Sequence, residues 1–139
     1  MSGAVIVHNL DHARAAMTAA AELGVAVTLL SPPAAAAYLG AAVFRHMIAE
    51  AARDRPGLEY RAVLDCGGDA GLALGALRQG IEVVRLEATE EVRAKVADIA
   101  AQSGAALDED VGPALDLAAE DDPGEALRAW LSASSAAAP

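Results

Sequence analysis

The side chains with chemical potential in this chain lie just after four short apolar segments. They combine amide, hydroxyl, carboxylate and thiol groups with a pair of glycines: Asn9, Asp11, Ser31, Asp65, Cys66, Gly67, Gly68 and Glu87. Asp65 and Cys66 are the candidate catalytic residues, because a thiol near a helix N-terminus can act as a nucleophile and a carboxylate can move a proton. The other six are candidate ligand-binding residues, since polar groups and flexible glycines allow a ligand to approach the backbone closely.

A second arrangement at these positions concerns acid–base chemistry. Asp65 and Glu87 would form a carboxylate pair if the segments that precede them are neighbouring strands. Two carboxylates held close together raise the pKa of one of them, which suits it to serve as an acid or a base. The commoner outcome is that each carboxylate is solvated in its own turn.

Motifs for cofactors and metals are missing from the sequence. Position 69, where a dinucleotide fingerprint needs a glycine after Gly67, is an aspartate, and Lys95 is the only lysine, so a Walker-type phosphate loop is excluded. His8 and His12 are four residues apart but lie on a strand end and a helix start, so they do not share a helical face. We therefore expect no cofactor and no metal.

The elements that position these residues alternate between strands and helices. The predicted strands are apolar runs, at Ala4–Val7, Val25–Leu30, Tyr60–Leu64 and Ile81–Leu86. The predicted helices have capping residues or a proline at their start: 12–23 after Asp11, a long helix opened by Pro32 and Pro33, 70–79 after Asp69, and 90–102 after Thr89. This alternation is typical of parallel strands joined by helical crossovers.

Two further elements complete the predicted fold. Ala105–Leu107 is a short edge strand, and Asp122, Pro123 and Glu125 form a start signal for a C-terminal helix. The fold class is therefore α/β, with a mostly parallel sheet of four to five strands, βα crossover units and a C-terminal helix. The sheet is either open and doubly wound or arranged like half of a (β/α)-barrel. We expect a single domain over residues 1–131 and a disordered tail over residues 132–139.

The βα alternation over residues 4–107 resembles the units of aldolase-like (β/α)-barrels and of flavodoxin-like domains. That resemblance implies the fold only. No strand ends on a lysine that could form a Schiff base, and the acid and lysine pattern of receiver domains is absent. No catalytic residue is therefore transferred from either group.

Charge and composition exclude several classes of protein. The 139 residues carry a net charge of −10, which is unfavourable for binding a nucleic acid backbone, and a lone cysteine cannot form a disulfide within the chain. Residues 23–44 are uncharged, but Pro32 and Pro33 interrupt them, so we expect no membrane span. The N-terminus lacks the features of a secretory signal, which predicts a cytoplasmic protein. The acidic runs 108–110 and 120–122 are interpreted as solvated loops.

Two functions remain open from the sequence. The preferred one is a small-molecule-binding or interaction module, whose site lies at the C-terminal ends of the strands. Copies of it could associate through the long alanine-rich helix or through the face that carries Leu127 and Trp130. The alternative is a lyase or isomerase that acts on a small metabolite with Asp65 and Cys66.

Overall fold

The computed structural model of the chain describes residues 3–110 and 112–136. Six strands occupy Gly3–Ile6 (β1), Val27–Leu30 (β2), Tyr60–Asp65 (β3), Val83–Arg85 (β4), Ala106–Leu107 (β5) and Ala114–Asp116 (β6). The α-helices occupy Leu10–Leu23 (α1), Ala41–Ala52 (α2), Ala70–Arg78 (α3), Glu90–Gln102 (α4) and Pro123–Ala136 (α5). Short 3₁₀ helices lie at Ala35–Ala37 and Leu117–Ala119.

The strands form one parallel sheet, in the order β5-β4-β3-β2-β1-β6. This confirms the predicted fold class. The first five strands follow one another in chain order, as in a series of successive βα units, and only β6 is placed on the other side of β1. The short strand β5 lies at an edge, as predicted, and β4 is next to it, which agrees with the charged residues that interrupt its apolar run.

The chain divides into two compact units. The described residues of the first unit are 3–30, 47–61 and 112–136, and those of the second are 31–46 and 62–110. The prediction of a single domain over residues 1–131 stays a prediction.

In the first unit, α1 and α5 pack against each other, α1 contacts β2 and α5 contacts β1. The α5 side chains Leu127 and Leu131 are almost completely buried, and the Trp130 indole donates a hydrogen bond to the Ala4 carbonyl at 3.0 Å. Gly3 allows this close packing, since a Cβ there would lie 3.0 Å from the Trp130 ring nitrogen. The Leu127 and Trp130 face is thus used for packing inside this unit, and association of copies of the chain stays a prediction.

The second unit is built on the parallel pairs β3–β4 and β4–β5. Its helices α3 and α4 contact each other, and they contact β4 and β5 respectively. Its buried side chains are mostly aliphatic, with one aromatic: Phe44, Val63, Leu64, Val84, Leu86 and Leu107. Aliphatic burial of this kind supplies most of the stabilisation of a domain.

Capping residues explain where most helices begin. Asp69 and Thr89 cap α3 and α4 as predicted, and the Asp122 carboxylate accepts the Glu125 N–H at 3.2 Å. The prediction that Asp11 caps α1 was wrong. Asn9 has the extended conformation of a cap, and its side-chain oxygen accepts the His12 N–H at 2.8 Å, so the helix begins earlier than expected.

The prediction of a long helix that begins at Pro32 and Pro33 was also wrong. The chain there forms a 3₁₀ turn, and α2 begins only at Ala41. Ala34 has a positive φ of 56°, a conformation that a helix cannot continue through. The residues after the prolines are therefore held in an irregular turn.

The C-terminal helix is longer than expected. α5 continues to Ala136, so residues 132–136, for which we predicted disorder, are helical. Residues 137–139 of that predicted tail lie outside the described residues. Across 3–110 and 112–136, no helix is both long enough and apolar enough to cross a membrane.

Candidate functional site

Asp65 lies at the end of β3, and its carboxylate organises two turns of the second unit. One oxygen, Oδ1, accepts the Gly67 N–H at 2.8 Å and the Ala34 N–H at 3.1 Å. A carboxylate that accepts two backbone N–H groups fixes both turns in place. Asp65 therefore has a structural role at the end of β3.

Ser31 lies close to Asp65, as predicted from the strand ends. Its hydroxyl accepts the Asp65 N–H at 2.9 Å and donates to the Pro32 carbonyl at 3.1 Å, and the residue is buried. Both hydrogen-bonding directions of the hydroxyl are thus used within the protein. Ser31 has the environment of a structural residue more than that of a ligand contact.

Gly67, Gly68 and Glu87 also lie together at this edge of the second unit. The Gly67 carbonyl accepts the Glu87 N–H at 2.8 Å, and Gly67 has a positive φ of 58°. A Cβ at Gly68 would lie 3.3 Å from the Glu87 carbonyl oxygen, so a larger residue there would require a shift of a few tenths of an ångström. The Glu87 carboxylate is exposed and makes no contact that would pair it with Asp65.

Cys66 is buried between these residues. Its thiol points back toward the Leu64 carbonyl, at 3.7 Å, and its own N–H donates to Arg85 O at 2.8 Å. Burial, reinforced by the negative charges of Asp65 and Asp69, raises the pKa of the thiol to about 11. A thiol in this state is a poor nucleophile, because the thiolate is the reactive form.

Asn9 and Asp11 belong to the first unit, where they flank a group of residues that the sequence did not bring together. His8 Nε2 lies 2.7 Å from Asp116 Oδ1, and the His8 N–H donates to His12 Nδ1 at 3.1 Å. The two imidazole rings stand edge to face with centroids 5.7 Å apart. We call His8, His12 and Asp116 the His–Asp cluster.

Three different elements supply the His–Asp cluster. His8 follows β1, His12 lies in the first turn of α1, and Asp116 ends β6. The strands β1 and β6 pair in parallel with Ile6 opposite Asp116, so both end at the same edge of the sheet. The carboxyl ends of parallel strands are where α/β proteins bind their ligands.

Hydrogen bonds limit which ring nitrogens of the cluster carry a proton. A carboxylate can only accept, so His8 Nε2 carries the proton that it shares with Asp116. His12 Nδ1 accepts a backbone N–H, so the proton of neutral His12 is on Nε2. The two remaining ring nitrogens, His8 Nδ1 and His12 Nε2, have no hydrogen-bond partner among the described residues.

Two members of the His–Asp cluster, His12 and Asp116, have lowered pKa values. Burial and the neighbouring His8 lower the pKa of His12, against the opposing charges of Asp116 and Asp11. Burial opposes ionisation of Asp116, but the Ala118 N–H and His8 outweigh it, so the pKa of that carboxyl is lowered. Shifted groups at a strand edge are a physical indicator of a functional site.

Two members of this cluster, His8 and His12, could be noticed in the sequence, but Asp116 could not. β6 is only three residues long and lacks the apolar run by which the other strands were predicted. Without β6, nothing placed Asp116 next to the first strand. A polar residue three places after a proline, as in the segment from Pro113 to Asp116, is a weak signal on its own.

The acidic segment after β5 differs from the solvated loop predicted for it. Arg85 donates to Asp108 Oδ2 at 2.7 and 3.0 Å and to the Asp110 carbonyl at 2.8 Å, and the Asp108 side chain is only 1% exposed. Arg93 pairs with the exposed Glu109 at 2.9 Å and also donates to the Leu86 carbonyl. Two arginines therefore anchor this segment to the second unit.

No group of histidine, cysteine and acidic side chains in the described segments is arranged to hold a metal ion. Comparison with models of protein families and with curated proteins finds no match to the chain. The assignment of a function therefore depends on the geometry alone.

Proposed function

We propose that this protein binds a small hydroxyl-bearing molecule at the carboxyl ends of β1 and β6, through the His–Asp cluster. The observation that supports this most directly is the convergence of His8, His12 and Asp116 from three separate elements. His8 and Asp116 keep 33% and 44% of their side-chain surface exposed, so a ligand can reach them. The first two predicted binding residues, Asn9 and Asp11, flank the same place.

The ligand class follows from the donors and acceptors. A hydroxyl group both donates and accepts hydrogen bonds, so it can pair with the free ring nitrogens His8 Nδ1 and His12 Nε2 whether or not they carry a proton. Asp11 and Asp116 make the surroundings negative, which disfavours a simple anion. We therefore infer an uncharged, hydroxylated metabolite as the ligand.

The alternative function, a lyase or isomerase that uses Asp65 and Cys66, has less support. The Asp65 oxygen Oδ1 is occupied by backbone N–H groups, and the raised pKa of Cys66 opposes formation of a thiolate. Ser31, Gly67 and Gly68 serve the turns at the same edge. These residues are better explained as the framework of the second unit than as a site.

NMR titration with glycerol, erythritol and glucose tests the proposed site. We expect the imidazole resonances of His8 and His12 to shift with at least one of these polyols. Replacing Asp116 with alanine should abolish the shift, because His8 then loses the partner that orients its ring. The matched control is His46→Gln, which changes an exposed histidine on α2 and should leave binding intact. A response that is equal at His46 and in the cluster would contradict the proposal.

Self-association is a second candidate property, because large apolar side chains are exposed on and just before α2. Tyr38 is 69% exposed and Val43 is 53% exposed. Light scattering coupled to size exclusion should show a dimer that Val43→Glu dissociates, and a monomeric wild type would contradict this proposal. A cytoplasmic location, which a free buried thiol suits, is tested by cell fractionation.

A further inference from the structure

We propose that the first unit has a second ligand site, which binds a free amino acid. This site lies at the amino end of β2. A cleft of about 510 Å³ separates the end of α1 from the loop between α2 and β3. Its walls include Ala20, Gly24, Val25, Asp54, Arg55 and Glu59. A volume of this order suits a small metabolite. We call it the amino-end cleft.

Arg55 is the first group that points to a ligand. It is half-buried, and one guanidinium nitrogen donates to the Thr18 hydroxyl at 3.2 Å. It forms no ion pair with any residue of the described chain. An arginine with spare donors in a cleft matches the two oxygens of a carboxylate.

The backbone holds Arg55 in position. Its N–H donates to the Ala52 carbonyl at 3.0 Å, and its carbonyl accepts the Leu58 N–H at 3.0 Å. Glu59 is held in turn, because its carbonyl accepts the Val27 N–H at 3.4 Å. The loop is thus fixed at both sides of the cleft before any ligand arrives, which lowers the entropic cost of binding.

Negatively charged residues also line the amino-end cleft. Asp54 and Glu59 line the cleft, are exposed, and form no hydrogen bond or ion pair through their side chains within residues 3–110 and 112–136. The C-terminal end of α1 adds partial negative charge at Gly24, which favours a cation. These groups together suit an ammonium ion.

Arg55, Asp54 and Glu59 line the same cleft, and this combination of charges favours a ligand that carries both a negative and a positive group. A simple anion would meet Asp54 and Glu59 and the net charge of −10, and a simple cation would meet Arg55. A free amino acid satisfies both, and the small residues Ala20 and Val25 leave room for a short side chain. This assigns the amino-end cleft to a zwitterion.

NMR titration with L-alanine, acetate and methylammonium tests the assignment. We expect L-alanine to give saturable shifts at residues 20–26 and 54–59, and each single-charge compound to bind at least about tenfold more weakly, as the loss of one charge-assisted pair implies. Arg55→Gln should weaken L-alanine binding by about tenfold or more. The matched control is Arg53→Gln, because Arg53 is exposed and already paired with Glu50 at 3.1 Å.

A second variant, Glu59→Gln, keeps the proposal testable if Arg55→Gln does not fold. Glu59→Gln changes an exposed side chain, and it should weaken the binding of L-alanine and methylammonium while leaving acetate unchanged. Absence of saturable shifts with L-alanine would overturn the proposal. So would equal loss in Arg55→Gln and Arg53→Gln, or acetate binding as tight as that of L-alanine.

Discussion

His8 Nε2 and Asp116 Oδ1 lie 2.7 Å apart, although 108 residues separate them in the chain. The pairing of β1 with β6 brings them together, and the same Asp116 oxygen accepts the Ala118 N–H at 3.0 Å. The carboxylate therefore joins the end of one strand to the first turn that follows the other. It orients an imidazole at a place where a ligand can reach it.

Asp116→Ala should lower the free energy of unfolding by about 0.5–1 kcal/mol near neutral pH, the range for a partly exposed pair. The pKa of Asp116 is lowered in the folded protein, so its contribution is present above the pKa of the unfolded state and is lost as the pH falls through the folded pKa. Urea titrations at neutral pH and below about pH 4 should therefore show the difference shrink toward acid. Asp121→Ala, an exposed control, should match the wild type at both values.

His12→Gln should make stability less sensitive to mild acid. The pKa of His12 is lowered by burial and by His8, so protonation favours the unfolded chain, and stability present above the unfolded pKa is lost as the pH falls. Between about pH 7 and pH 5 the wild type should therefore lose stability relative to His12→Gln. The control His46→Gln keeps His12 and should follow the wild type. A parallel pH profile for all three proteins would refute the prediction.

The strands and caps were readable from the sequence because they depend on local patterns. The apolar runs before Ser31 and Asp65 predict buried strands, and Asp69 and Thr89 supply the oxygen that the first helical N–H groups need. The region after Pro32 was not readable, since its conformation depends on the Asp65 carboxylate 31 residues further along the chain. Contacts between residues so far apart in the chain produce no periodic pattern in the sequence.

The candidate site shows the same division between local and distant information. The sequence places polar side chains at strand ends. In the structure, the side chains of Ser31 and Asp65 form hydrogen bonds with backbone groups. The His–Asp cluster needs β6, whose three residues pair only with a strand more than 100 positions earlier. Whether a polar side chain is structural or available to a ligand depends on its hydrogen-bond partners, which only folding brings close to it.

Ser31→Ala tests whether the predicted binding serine is a structural residue. Its loss would leave the Asp65 N–H without its acceptor in a buried place, which costs about 1–3 kcal/mol. Urea unfolding measures this directly. The matched control is Ser103→Ala, whose hydroxyl only contacts the Ala100 carbonyl at the exposed end of α4 and should cost less than about 0.5 kcal/mol. Equal losses would show that burial of Ser31 contributes little.

Arg85→Met should be the most destabilising of these substitutions. It removes the guanidinium from Asp108, whose side chain is 1% exposed, at a cost of about 2–4 kcal/mol for breaking a buried pair. Thermal or urea unfolding should show the loss. Lys95→Met breaks an exposed pair with Glu91 and should change stability by less than about 0.5 kcal/mol. If both variants behave alike, the acidic segment is not anchored as the distances indicate.

Cys66 should react slowly with thiol reagents in the native protein. With a pKa of about 11, roughly one molecule in a thousand carries the thiolate at pH 8, against about one in four for an ordinary thiol. Burial slows the reagent further, so modification by iodoacetamide should be at least about 100-fold slower than in urea-unfolded protein, and mass spectrometry can follow both reactions. The unfolded chain is the control, since it has the same cysteine without the burial. Native modification as fast as in urea would show an accessible, reactive thiolate and would restore Asp65 and Cys66 as candidates for catalysis.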